Sequence, residues 1–198
     1  EGGKKYVSEN IRLLFFFSIP LLILAITFSK SGLFALNPVY EIAFPIAILI
    51  SFSIFFHTIN TSLSQILRGN EKVDIDSSSS FKDYIKSKLV LVPTLHIIQF
   101  SIYLITLFLV LLFGKDVYSE FELLIFWSVI AVIVQIPLTI YLFFIVKKEL
   151  NLKLDPVILK YLISGVSVFS LVYYLIEEYL VFQENIFEFL PNLFPYLI

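Results

Sequence analysis

The 198-residue chain contains no cysteine and no methionine, only six glycines, and 15% charged residues. Without cysteine there can be no disulfide, no cysteine-ligated zinc and no thiol nucleophile. The chain opens on Glu1-Gly2-Gly3 and stops inside the apolar run Leu190 to Ile198, so it reads as a fragment cut at both ends. A net charge of -2 gives no electrostatic basis for a nucleic-acid or polyanion partner. Glycine-rich phosphate loops, metal-ligand clusters and nucleophiles beside a base are all missing. The expectation is therefore no enzyme, no cofactor and no metal.

Apolar side chains dominate what is present. The composition is 59% hydrophobic and 17% aromatic, with 22 Phe and 11 Tyr, and the mean hydropathy is +0.92. A soluble domain of this length cannot bury so much apolar surface, so lipid is the expected solvent. Apolar runs of bilayer length, charged only at Glu122 and Lys160 near the ends of the last two, cover Leu13 to Ser29, Ile42 to Leu67, Leu89 to Phe113, Phe121 to Val146 and Val157 to Ile176. A truncated sixth begins near Ile186. The expected fold class is all-α: a polytopic transmembrane helix bundle of five to six spans forming one lobe, residues 1–198. No small-residue cleavage pattern follows the first run, which reads as a retained span rather than a leader.

Local signals punctuate these runs. Gly32, Gly69 and Gly114 each follow an apolar run closely, where a left-handed C-terminal cap is expected. Asn37-Pro38 and Asp155-Pro156 pair a capping side chain with proline at the first helical position. Ser119 with Glu122 makes a capping box for the fourth span. Pro20, Pro45, Pro93 and Pro137 fall within the first four spans, where each removes a backbone hydrogen bond and favours a bend.

Twelve of the 14 basic residues fall in alternate connections: Lys4, Lys5 and Arg12; Arg68, Lys72, Lys82, Lys86 and Lys88; Lys147, Lys148, Lys153 and Lys160. Basic residues are retained inside, so the chain is expected in the cell membrane, multi-pass, with the residue 1 end and the loop 68–88 cytoplasmic. The acidic tail with Glu177, Glu178, Glu184 and Glu188 then faces outward. Within the loop, Ser77 to Ser80 is linker. Its last serine caps a helix from Phe81, with Asp83 three residues on, that is expected to run into the third span. Phe81, Tyr84, Ile85 and Leu89 share one face flanked by Lys82, Lys86 and Lys88, so this helix reads either as lying on the inner leaflet or as a solvated loop.

Inside the spans, polar residues recur at helical spacing. Ser53, His57, Asn60 and Ser64 lie on one face of the second span, beside Thr61; His96, Gln99, Tyr103 and Thr106 repeat the pattern in the third; Gln135 with Ser128 and Thr139 does so in the fourth. Polar faces are disfavoured against lipid, so they are expected to point into the bundle, either joining helices or lining an aqueous cavity. Ser53, His57, Asn60, Ser64, His96, Gln99, Tyr103 and Gln135 are the candidate cavity residues. His57 and His96 are the only imidazoles and candidates for proton coupling or for structural hydrogen bonding.

The stretch Phe15-Phe16-Phe17-Ser18-Ile19-Pro20-Leu21, followed by Phe34-Ala35-Leu36-Asn37-Pro38-Val39-Tyr40, resembles the C-terminal lobe of the MATE-like (MOP exporter) superfamily oligosaccharide flippases, the Wzx-type polysaccharide transport proteins. The exit Gln65-Ile66-Leu67-Arg68-Gly69-Asn70-Glu71-Lys72 is similar to the family's Gln-x-Leu-x-Gly-x-x-Lys motif. The resemblance covers most of the chain. It implies a two-lobed transporter whose N-terminal lobe lies outside this segment, and a lipid-linked oligosaccharide as the partner moved across the bilayer by alternating access. The chain departs from the family in lacking charged residues deep in its spans. Other readings are a drug or metabolite exporter of the same superfamily, a polytopic glycosyltransferase or polymerase using Asp74 and Asp76, and a non-transporting scaffold.

Overall fold

The computed structural model describes residues 2–71, 73, 80–150 and 156–179. All regular structure among them is helical: α1 (Gly2–Leu36), a 3-10 turn (Pro38–Ala43), α2 (Phe44–Gly69), α3 (Phe81–Lys86), α4 (Lys88–Gly114), α5 (Glu120–Leu150) and α6 (Val157–Tyr179). Five helical segments are long and apolar enough to cross a membrane: Lys5–Leu36, Pro38–Gly69, Lys88–Gly114, Glu120–Leu150 and Val157–Ile176. About 20 helical residues span a hydrocarbon core, and each segment reaches that length. Large apolar side chains such as Ile97, Phe100, Ile105 and Phe108 lie exposed along α4, as a helix solvated by lipid requires. The chain is an all-α, polytopic membrane protein. The expected sixth run lies outside the described residues, as do the Asp155 cap, the linker serines 77–79, Asp74, Asp76, Lys72, Lys153, Glu184 and Glu188.

The chain divides into two compact units. One comprises 1–11 and 53–153, and so holds most of α2 with α3, α4 and α5. Ser53 meets Ala131 and Asn60 meets Gln135, so positions on α2 and α5 advance together and these two helices run parallel. The hairpin of α4 and α5 turns through residues 115–119, and Gly114 packs closely against the turn and the first residues of α5. A Cβ there would come 3.0 Å from Leu123 and 3.2 Å from Tyr118.

The second unit comprises 12–52 and 154–198. Arg12 Nε donates to the Tyr161 hydroxyl at 3.0 Å, Phe16 meets the Tyr161 ring edge-on, and Phe34 packs on Ile176 with Phe28, Ala35 and Val172 around them. These pairs also advance together, so α1 and α6 run parallel. Lys30 pairs with Glu41 at 3.3 Å, linking the end of α1 to the 3-10 turn.

Local capping chemistry explains several boundaries. The Asn37 side chain accepts the Val39 N–H at 3.0 Å, and Pro38 follows it at the first position of the 3-10 turn. Ser119 and Glu122 form the reciprocal box: the Glu122 carboxylate accepts from the Ser119 N–H at 2.8 Å and hydroxyl at 2.9 Å, and the Glu122 N–H donates back to the Ser119 hydroxyl at 3.3 Å. At α3 the Asp83 carboxylate accepts from both the Ser80 hydroxyl, at 2.6 Å, and the Ser80 N–H, at 2.9 Å. These bonds favour the carboxylate and hold the Asp83 carboxyl below its ordinary range.

Four expectations are corrected. Gly32 lies inside α1, and none of Gly32, Gly69 and Gly114 adopts a left-handed conformation. Instead, the Asn70 side chain closes α2 by donating to the Ile66 carbonyl at 2.8 Å, while α4 ends in right-handed turns onto Gly114. The loop helix does not run into the third span. Ser87 is extended (φ -75°, ψ 162°), and its hydroxyl donates to the Tyr84 carbonyl at 2.6 Å, separating α3 from α4. Lys88 is not free to flank the α3 face, because its ammonium pairs with Glu149 at 2.8 Å. Pro45 lies at the second residue of α2, where the 3-10 turn gives way to α-helix, and so cannot bend that helix at its middle.

Candidate functional site

The polar faces of α2, α4 and α5 meet in a seam inside the first unit. Three residues on α2, spaced so as to share a face, each contact a neighbouring helix. The Ser53 hydroxyl donates to the Ala131 carbonyl of α5 at 3.3 Å. Asn60 Nδ2 donates to Gln135 Oε1 at 2.8 Å and reaches the Gln135 carbonyl at 3.5 Å. The Ser64 hydroxyl and His96 Nε2 of α4 share a hydrogen bond of 2.9 Å. Asn60 and Ser64 are fully buried, and the Asn60 Oδ1 atom has no partner.

Further along the hairpin, the Tyr103 hydroxyl of α4 accepts from Trp127 Nε1 of α5. Trp127 was not among the residues picked out by periodicity. Its signal was that the chain has one tryptophan and that it precedes Ser128, whose hydroxyl is buried and turned back onto its own helix at Leu124 and Ile125. Thr139 likewise donates to the Gln135 carbonyl, at 2.9 Å, rather than to another helix.

The eight candidates thus separate by position. Asn60 with Gln135 and Ser64 with His96 form direct side-chain pairs, Ser53 and Tyr103 bond to α5, and Gln99 is half-buried on α4. His57 departs from the expectation that the whole stripe turns inward: it is exposed, near the middle of α2. On a helical projection His57 lies at one edge of the stripe, only about 20° beyond Ser64, yet its ring is exposed where Ser64 is buried.

The seam consists of hydroxyl, amide, imidazole and indole groups. Such groups can bind hydroxyl- and amide-bearing molecules or tie helices together, and they supply no fixed charge for an ion. Among the described residues, no three His, Asp or Glu side chains are grouped so as to hold a metal ion. Comparison of the chain with protein-family models, curated proteins and solved structures found no match.

Proposed function

We propose that the chain is one lobe of a MATE-like, Wzx-type transporter that moves a lipid-linked oligosaccharide across the cell membrane by alternating access, with the residue 1 end and the loop 68–88 in the cytoplasm. The observation that carries this reading is His57, an exposed imidazole near the middle of a membrane-spanning helix. A polar ring is costly against lipid, so it faces either water or other protein. A cavity between two lobes provides both. The neutral side chains nearby suit recognition of sugar hydroxyls. The orientation rests on the basic residues in alternate connections.

The scaffold reading draws on a different observation, namely that Asn60, Ser64, His96 and Gln135 already bond to one another. One experiment separates the two. In cells lacking the protein, lipid-linked saccharide should accumulate on the inner leaflet, and a His57→Leu variant should restore less export than the parent while folding normally. Unchanged saccharide levels in the deletion strain would refute the flippase reading and leave the scaffold.

A further inference from the structure

Helix α3 takes no part in the polar seam. Its six residues stand between two breaks: the Ser80 cap, and the extended Ser87, which turns the chain before α4 begins. With the chain turned at Ser87, α3 does not continue the axis of the span that follows. Among the described residues its apolar side chains are left outside any core. Phe81 is 81% exposed, Ile85 55% and Tyr84 37%. At 100° per residue these three fall within one arc, with Lys82 and Lys86 together on one flank and Asp83 on the polar side. Both lysines are exposed, and among the described residues neither has an acidic partner, whereas Lys88 is neutralised by Glu149.

We infer that α3 is an interfacial helix that binds acidic phospholipid headgroups in the leaflet this loop faces. Phe81, Ile85 and Tyr84 enter the acyl boundary, and Lys82 and Lys86 contact the phosphates. The observations select lipid over a protein partner. The apolar arc is one short turn of helix at the end of a membrane span, too small for a stable protein interface, and it lies within reach of the bilayer that its own chain crosses. The lysine stems are long enough to hold their charges at headgroup level while the ring of Phe81 sits below. The capping box at Ser80 matters because six residues cannot hold a helix in water unaided. The inference is independent of what, if anything, the protein transports.

Because the chain lacks cysteine, a single reporter thiol can be placed without background. The full chain carrying Tyr84→Cys, labelled with an environment-sensitive fluorophore, is reconstituted in nanodiscs of phosphatidylcholine alone or mixed with phosphatidylglycerol. Each preparation contains spin-labelled lipid as quencher. Two lysines less Asp83 leave one net positive charge, which corresponds to about a fivefold gain in lipid partition on an acidic surface. The expected result is stronger quenching with phosphatidylglycerol, reduced by high salt and abolished in Lys82→Gln/Lys86→Gln. Unchanged Trp127 emission in that variant shows that its spans remain folded. Equal quenching in both lipid mixtures, or none in either, would overturn the inference.

Discussion

Asn60 is fully buried, gives its side-chain N–H to Gln135 at 2.8 Å, and keeps its own carbonyl oxygen unpartnered. A hydrogen bond between membrane helices contributes about 0.6 kcal/mol on average and about 1.7 kcal/mol at most. A double-mutant cycle of Asn60→Ala and Gln135→Ala, read by reversible unfolding in mixed micelles, should give a coupling energy in that range. Coupling indistinguishable from zero would mean that the seam does not hold α2 to α5.

Trp127 reports on the hairpin without labelling, since the chain has one tryptophan. Its indole N–H donates to the Tyr103 hydroxyl. Tyr103→Phe removes the acceptor and leaves the ring in place, so emission should shift to the blue with little change in stability. An unchanged spectrum would indicate that the two side chains do not meet.

The start of α4 is held twice: the Glu71 carboxylate accepts the Lys88 N–H at 2.9 Å, and the Lys88 ammonium meets Glu149 at 2.8 Å. The ion pair is partly exposed, at 25% and 30%, so its coupling should be only about 0.2–1 kcal/mol and should weaken with salt. Glu71→Gln retains an acceptor and should be milder than Glu71→Ala, which leaves the helix start uncapped at a cost of about 1 kcal/mol. Equal effects of the two Glu71 variants would argue against capping.

The Asp83 carboxyl is held below its ordinary range by the Ser80 hydroxyl first and the Ser80 N–H second. Because the folded value is depressed, the contribution is complete above the ordinary carboxylate range and is lost as pH falls through the lowered value. Amide protection in α3, taken relative to the unstructured exchange rate at each pH, should therefore be full near neutrality and fall only in acid. Ser80→Ala should move that transition upward. Protection independent of acidification would show that the box does not order α3.

In the other unit, Gly165 sets how closely α6 approaches α1. A Cβ at this position would fall 2.7 Å from the Ile23 Cδ1 atom, the mobile end of a side chain. Gly165→Ala should be tolerated after Ile23 changes rotamer, whereas Gly165→Leu should cost about 1–3 kcal/mol by overpacking. Crosslinking of Phe34→Cys with Ile176→Cys checks this, with yield retained for alanine and reduced for leucine.

What could be read from the sequence is what depends on near neighbours along the chain. The Asn37-Pro38 start and the Ser119 and Glu122 box are contacts within four residues, and the spans follow from apolar runs alone. The polar stripe on α2 followed from helical periodicity. Which residue on another helix each member meets did not, because the Ser53 and Asn60 partners lie 78 and 75 residues away. Periodicity also cannot say where a stripe ends, so His57 seemed equivalent to Asn60. The glycines misled because a carbonyl at a helix end can equally be closed by an amide side chain, as Asn70 does for Ile66. Ser87 gave no warning, since its break depends on a hydroxyl turned back to Tyr84.

The unequal spacing of these pairings implies an order of assembly. Tyr103 and Trp127 are 24 residues apart, Ser64 and His96 are 32, and the α2 to α5 pairs exceed 70. Closing a short loop costs less chain entropy than closing a long one. As the polypeptide emerges from the ribosome, the α4–α5 hairpin can form as soon as its second arm is made, and α2 must wait beside α4 with Asn60 unpaired until Gln135 arrives. During that interval the nascent protein carries an unsatisfied amide within the bilayer, which is the stage at which an insertion chaperone would have a polar group to shield.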